Sequence, residues 1–439
     1  MHTTSYGTAG FVDACRRAGA EVTIASDRCH VLDGAWRWPA DSLVIDFGDP
    51  EGAAEIIASA AKEPGGALAA VLPVGGELPA RVASLAAGRL GLPANPPGAM
   101  IAAANKLEMR TRLAAAGANG PDLPGLSGLP ELSDLRQPLF VAVARTADPR
   151  EVAEMVRRPG GVGFPCVVKP LMLSGSRGVL RADDPATLTA ALARVARLLA
   201  DPAVRHIDPV AADRILIESF IPGREVAVEG LLTRGVLEVL AIFDKPDPLD
   251  GPTFEETIYL TPSRHPADDQ ARIARALAAA TRALGLETGA VHAELRLDGG
   301  APVVIEVAAR PIGGLCARAL RFDGGLSLED VVVRHALGGD GHPIRERRPS
   351  GVMMIPIPAR DPAVLRSVRG LEEARGVPGI DDVIISVRPG ETVVPLPDGA
   401  SYLGFIFASA ETPAAVETAL RTAAARVSFD LAPLVPVLR

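Results

Sequence analysis

The stretch Val303 to Gly314, VVIEVAARPIGG, constrains the fold of this chain more than any other. Val303, Val304, Ile305 and Val307 are β-branched and apolar, the composition of a buried strand. Glu306 stands among them, and an ionised carboxylate in an apolar strand is costly unless something pairs with it. Upstream, VHAELRL places Glu294 in a second strand, and the Gly299-Gly300 turn lies midway between the two glutamates. In such a hairpin Glu294 and Glu306 are near cross-strand neighbours that can project on one face. Adjacent carboxylates repel unless a cation sits between them, and oxygen-rich ligation of that kind suits Mg²⁺ with phosphate oxygens completing the shell. Arg310 follows four residues later, always charged and able to hold a phosphoryl oxygen or carboxylate bidentately. The hairpin reads as a metal–phosphate platform. By itself it also fits a Glu–Arg ion pair closing a strand. His292 shares the strand face of Glu294 and reads as a group behind the site or as a packed histidine.

A platform of this kind needs a large scaffold. The chain has 439 residues, enough for two to four domains. Apolar residues make up 48% and charged residues 22%, a globular composition. Aromatics are only 4%, so the cores must be aliphatic. A net charge of −8 argues against a broad phosphate-backbone binder, so no nucleic-acid partner is expected. No run of eighteen or more apolar residues occurs, so no membrane partner is expected. MHTTSYGTAG lacks the pattern of a signal peptide, and a cytoplasmic location is expected. Cys15, Cys29, Cys166 and Cys316 are far apart and read as reduced thiols.

Along the chain, the first hundred residues alternate helix and strand patterns, a parallel α/β texture. Residues 8–19 read as a helix, EVTIAS, SLVIDF and LAAVLPV as strands, and GAAEIIASAAK as a helix between the last two. After Pro93, Pro96 and Pro97 comes a helix over about 99–116, then a Pro- and Gly-rich segment to 150 with one strand, LFVAVAR. From about 160, FPCVVKP is a strand ending on Lys169, followed by the loop LMLSGSRGV, a long helix and the strand RILIESF. REVAVEGLLTRG and VLEVLAIF read as antiparallel strands around Gly235, and 268–284 as a helix. Ser327 and Thr412 are placed as N-caps of the helices that follow them. The resulting division is 1–97, 98–160, 161–222, 223–345 and 346–439.

The loop after Lys169 can wrap phosphates with backbone N–H groups and serine hydroxyls. It is neither G-x-x-x-x-G-K-[ST] nor G-x-G-x-x-G, and alone it also fits a surface loop. The order of elements is more specific. Lys106 in NKLEMR, Lys169 in FPCVVKP, SGSRG, ESFIPGREVAVEG, HAELR and VIEVAARP together resemble an ATP-grasp ligase over nearly the whole chain. FDKPDPLDGPTFEETIY and the final GVMMIPIPAR…GASYLGFIF resemble its L-amino-acid ligase, dipeptide-forming branch. The resemblance implies an α/β and α+β chain: an ATP-grasp fold behind a Rossmann-like (pre-ATP-grasp) domain, with a C-terminal α/β subdomain. The family's first domain opens with a β-strand, whereas SYGTAG begins almost at residue 1, so that strand is expected to be missing from this sequence or trimmed.

The resemblance also implies site residues. ATP and Mg²⁺, with Mn²⁺ as the alternative, are the expected cofactors. Lys106 and Lys169 would contact ATP phosphates, and Ser174, Gly175, Ser176 and Gly178 would belong to the lid over them. Glu218, Ser219, Phe220 and Ile221 would form the hinge whose backbone reads adenine. Glu225 would hold the ribose, Glu294 and Glu306 the metal. Arg310, the catalytic residue together with Lys169, would stabilise the acyl phosphate and tetrahedral state. Glu255 and Glu256 sit in a loop over the amino-acid pocket, which Gly313 and Gly314 would help to line. Ala308 stands where many relatives have an asparagine, leaving one metal contact in question. The implied activity joins a small-molecule carboxylate and an amine, amino acids by resemblance, through an acyl phosphate. The alternatives are a carboxylase or purine-pathway-like enzyme of the same fold, and a nucleotide-binding protein without turnover. A dinucleotide oxidoreductase is disfavoured by the missing glycine motif. The family often forms dimers, which leaves a homodimer open.

Overall fold

The computed structural model describes residues 7–27, 42–63, 65–117, 135–339 and 348–434. Its centre is an eight-stranded antiparallel sheet. In spatial order the strands are Ala301–Ala308, Gly289–Asp298, Arg224–Thr233, Val236–Asp244, Ile258–Thr261, Ser350–Ile355, Gly404–Ser409 and Ile380–Ile385. Strands from 223–345 and from 346–439 therefore share one sheet. On one face lies the helix Ala267–Leu284, which buries Ile273, Ala276, Leu277, Ala280 and Leu284. That spacing is a single helical stripe. It packs on Val291, Leu295, Val304 and Val307. Gly285, at φ +77°, ends the helix in the left-handed conformation that glycine adopts without strain. The other face packs Leu231, Phe243, Tyr259 and Phe405 with Val331 and Val332 of the helix Leu328–Ala336.

A second sheet of four strands lies across a shared cavity from this one. Its order is Phe140–Ala144, Arg214–Ser219, Cys166–Pro170, Leu180–Ala182, all antiparallel. The helix Pro185–Ala200 backs it with Leu188, Leu192, Val195 and Leu199. A three-stranded sheet of Thr392–Val393, Ala363–Arg369 and Ser428–Pro433 completes the C-terminal part. Ser327 and Thr412 cap their helices as expected, accepting from the Asp330 and Ala415 N–H groups.

Three local expectations change. The helix placed over 99–116 is two helices, Pro97–Ala104 and Lys106–Ala115. Asn105 is extended between them, and its side chain accepts from the N–H groups of Leu107 and Glu108. A side chain that caps so well starts a new helix rather than continuing the old one. LAAVLPV forms no strand, although Ile24–Ser26 and Ser42–Val44 pair in parallel nearby. Residues 70–74 instead line an apolar cavity of about 180 Å³ together with Ile24 and Ala25, and pair with no strand among the described residues. The segment before 150 leads into a helix the pattern had not marked, Pro149–Arg157, capped by Asp148. Residues 1–6, on which the expectation of a missing first strand bears, and Cys29 lie outside the described residues. Cys15, Cys166 and Cys316 are free thiols. Among the described residues no helix is long and apolar enough to cross a membrane.

Candidate active site

The hairpin brings Glu294 and Glu306 directly opposite each other, but not through its turn alone. From Asp298↔Ala301 to Leu295↔Val304 the register would set Ile305 against Glu294. A bulge between Glu294 and Leu295 leaves Ile305 without a partner and moves Glu306 into line. Bulges re-aim side chains in this way beside functional sites. Arg110 holds the bulge from outside, donating to the carbonyls of Val304 (3.2 Å) and Ile305 (2.6 Å). Arg110 is fully buried, and its Nε also donates to Glu218 at 2.7 Å. Lys169 meets the other oxygen of Glu218 at 2.6 Å. Burial would raise the Glu218 pKa, but the charges of Arg110 and Lys169 prevail and lower it to about 2. Glu218 thus brings an ionised carboxylate to the cavity wall, beside Ser219, Phe220 and Ile221. The N–H groups of Ser219 and Phe220 are already given to Leu139 and Pro165, and the Ile221 carbonyl accepts from Arg296. Lys106 donates to the Leu173 carbonyl at 2.8 Å and stands 3.4 Å from Glu306.

The small-residue loop closes the far side. Gly175 and Gly178 have φ of +63° and +75°, and Ser176 joins them at +56°. A Cβ on Gly178 would stand 2.9 Å from Leu198 and 3.0 Å from Pro170, so this position admits only glycine. Gly178 donates its N–H to the Pro397 carbonyl at 2.7 Å, Arg177 to the Asp398 carbonyl at 2.7 Å, and Arg194 grips the Asp398 carboxylate. The loop is therefore tied to the C-terminal part of the chain.

Deeper in, Lys245 is the centre of charge. Its ammonium lies 2.7 Å from Glu225, 2.5 Å from Glu256 and 2.9 Å from Glu294. Burial disfavours its charge, but the three carboxylates outweigh burial and hold it well above the ordinary lysine range. Glu294 is held ionised despite burial, chiefly by Lys245. Burial, with repulsion from Glu294, raises Glu256 to about 7 against the pull of Lys245. The Tyr259 hydroxyl also donates to Glu256. His292 is more than packing: its Nδ1 stands 2.5 Å from Glu229, and its Nε2 3.9 Å from Glu294. Burial lowers its basicity, but Glu229 prevails and raises it to about 9. Arg310 meets Glu77, the first residue of the helix Glu77–Arg89, at 2.6 Å.

A cavity of about 350 Å³ is lined by many of these groups, with Lys245, Arg110, Glu229 and Glu77 behind its wall. Lys106, Lys169, Arg310, Glu218, Glu225, Glu256, Glu294 and Glu306 line it, with Ser174–Ser176, Ser219–Ile221, Gly313 and Gly314. Gly178 and Glu255 are not on its wall.

Comparison with known proteins agrees with this arrangement. Residues 162–319 match the ATP-grasp domain family, and residues 356–432 match the L-amino acid ligase C-terminal domain 2 family. Residues 162–319 carry an ATP-grasp domain, and the chain is similar to L-amino acid ligases. The crystal structure of L-amino acid ligase from Bacillus licheniformis superposes on this ATP-grasp chain with a TM-score of 0.72 at 26% identity. The overlap covers 96% of this chain and 95% of that one. Carnosine synthase 1 of Gallus gallus is 33% identical over 160 residues, 36% of this chain and 17% of its own length. Alanine–anticapsin ligase of Bacillus amyloliquefaciens is 30% identical over 147 residues, 31% of this chain and 30% of its own. The chain spans about half or less of the length of the curated relatives it matches.

Several site groups of this ATP-grasp protein escape a reading of the sequence. Arg110 was accessible in principle, since it stands one helical turn after Lys106 on the same face. Lys245 ends an apolar strand, as Lys169 does. Glu77 carried no local signal, whereas Glu229 and Arg296 stand among apolar strand residues, as Glu306 does. Arg296 ties two stretches of the cavity wall together, donating to the carbonyls of Ile221 (2.7 Å) and Leu249 (3.0 Å). Ala308 is buried and pairs with His292 in the ladder, so it offers the site no oxygen.

Proposed function

We propose that the chain is an ATP-dependent carboxylate–amine ligase that joins L-amino acids through an acyl phosphate, releasing ADP and phosphate. The observation that supports this is the meeting of Lys106, Lys169 and Arg310 with the opposed carboxylates Glu294 and Glu306 in one cavity. Cations on one side suit a polyphosphate, and opposed carboxylates suit a divalent ion. The donor set fits such an ion, because Glu294 and Glu306 stand directly opposed across the hairpin and both line the cavity. Glu294 and Glu306 would hold Mg²⁺, which when bound supplies charge neutralisation at the phosphates.

The chain's own residues do the rest. Lys106 and Lys169 screen the approach of the substrate carboxylate to the γ-phosphate. Glu225 takes the ribose hydroxyls, beside the hinge. Phe220, flanked by the Arg181 and Arg296 guanidinium groups at 4.3 and 5.1 Å, forms the wall there. Arg310 stabilises charge on the acyl phosphate and on the tetrahedral state when the amine attacks. The lid loop excludes water, which would hydrolyse the acyl phosphate. Positioning and charge screening suffice, and no side-chain nucleophile is required.

The test is phosphate release from Mg-ATP with pools of L-amino acids, with the nucleotide product resolved. Amino-acid-dependent ADP and phosphate support the ligase. AMP and pyrophosphate would mean adenylation and refute it.

A further inference from the structure

Gly313 leaves room beside Arg310. It is exposed, lines the cavity and has no left-handed φ. Beyond its chain neighbours, a Cβ built on it would meet only the Arg310 Nη1, at 4.0 Å. Neither backbone strain nor crowding therefore demands a glycine at this position. Gly314 beside it differs: its φ is +63°, and a Cβ there would stand 3.3 Å from the Phe405 ring.

The wall at this end of the cavity is apolar. Ile312, Cys316, Met354, Phe405 and the Tyr259 ring belong to the core on the sheet's other face, and the cavity reaches that core at its edge. Met354 and Phe405 are partners in the ladder, and the Cys316 Sγ stands 3.8 Å from the Met354 Sδ. The same corner adjoins the carboxylates. The Tyr259 hydroxyl donates to Glu256, and its ring lies 4.9 Å from the Lys245 ammonium, which meets Glu294. The hinge end of the cavity is built from other elements, with the Phe220 and Phe254 rings 6.5 Å apart.

On the ligase reading above, a substrate carboxylate is activated beside Glu294, Glu306 and Arg310. Its α-carbon is one bond away, so the side chain that branches there must enter a space next to these groups. A charged side chain set against Ile312, Met354 and Phe405 would lose its hydration without gaining a partner. An aliphatic or aromatic one gains by leaving water. Resting on that ligase reading, we propose that the space over Gly313 takes the side chain of the amino acid whose carboxylate is activated. The class it accepts is bulky, uncharged and apolar, such as leucine, methionine or phenylalanine. The missing side chain at 313 sets the size admitted, and strands of the C-terminal part supply the wall that selects for apolar character.

The experiment uses the full chain with Mg-ATP, each of the twenty L-amino acids singly, and hydroxylamine as the amine, reading hydroxamate. Hydroxylamine replaces the acceptor, so the assay scores the activated amino acid alone. With wild-type protein, kcat/KM for leucine or methionine should exceed that for alanine, aspartate and glutamate by about tenfold or more. Gly313→Val fills the space over 313. Its leucine-to-alanine ratio of kcat/KM should fall by about tenfold or more, and that of Gly313→Ala by less. A ratio does not depend on how much of the variant is folded, so lost stability cannot imitate the result. Wild-type protein that favours alanine, aspartate or glutamate, or a ratio unchanged in both variants, overturns the proposal while the ligase reading stands. No hydroxamate from any amino acid with wild-type protein overturns the ligase reading and this proposal together.

Discussion

Arg110→Met isolates the ion pair that joins the second sheet to the hairpin. The replacement keeps most of the buried stem and removes the guanidinium. At 2.7 Å the contact with Glu218 has a gross attraction of about 6 kcal/mol at an effective dielectric constant near 20. Most of that only offsets desolvation, and removing one partner of a buried pair costs about 3–5 kcal/mol. Lys169 still faces Glu218 at 2.6 Å, which moderates the loss. The carbonyls of Val304 and Ile305 lose their donor, at about 1–2 kcal/mol each if no water replaces it. A net destabilisation of about 4 kcal/mol follows. For a chain this size unfolding as one unit, that lowers Tm by about 4 °C, and by more if the central part unfolds alone. Thermal melting at pH 7.5 without nucleotide measures it. The acid limb gives a second reading. Glu218 has its carboxyl at about 2 in the fold against an ordinary 4.5, a depressed pKa. Its stabilisation is present above about pH 4.5 and is lost as pH falls towards 2, in total about 3 kcal/mol. The gap between wild type and variant should therefore narrow below pH 4.5. Ligation should fall as well, because the bulge that lines Glu306 up with Glu294 loses its brace. A variant that melts within a degree of wild type at pH 7.5 refutes the reasoning.

Glu306→Ala should abolish ATP-dependent ligation while circular dichroism and Tm stay near wild type; normal turnover would remove Glu306 from the metal site. Glu225→Ala should raise the ATP KM more than it lowers kcat, as loss of a ribose contact equal in ground and transition states would, and steady-state kinetics decide it. Gly178→Val puts a β-branched side chain at φ +75° against Leu198 and Pro170. Strain of about 1–3 kcal/mol should loosen the lid loop, seen as faster proteolysis there and more ATP hydrolysis uncoupled from ligation.

Much of the scaffold was legible because it depends on near neighbours. The hairpin, the helix stripes and the caps at Ser327 and Thr412 follow from side chains a few residues apart. Where local signals compete, the reading slipped. Apolar periodicity ran 99–116 together, while the Asn105 side chain divided it. LAAVLPV has a strand's composition, but a strand exists only where a partner offers its backbone.

The sequence by itself determined which residues carry charge into apolar strands: Lys169, Glu294, Glu306 and, unrecognised, Lys245. Burial of a charge is costly enough to mark each as partnered. Tertiary structure alone decided the partners. Arg310 meets Glu77 across 233 residues, Arg110 meets Glu218 across 108, and Lys245 gathers three carboxylates from three different elements. The one-residue bulge that sets Glu306 opposite Glu294 belongs to the same class. Pairings of that kind follow from how sheets stack and ladders register, and a change of one residue in register turns every side chain to the other face.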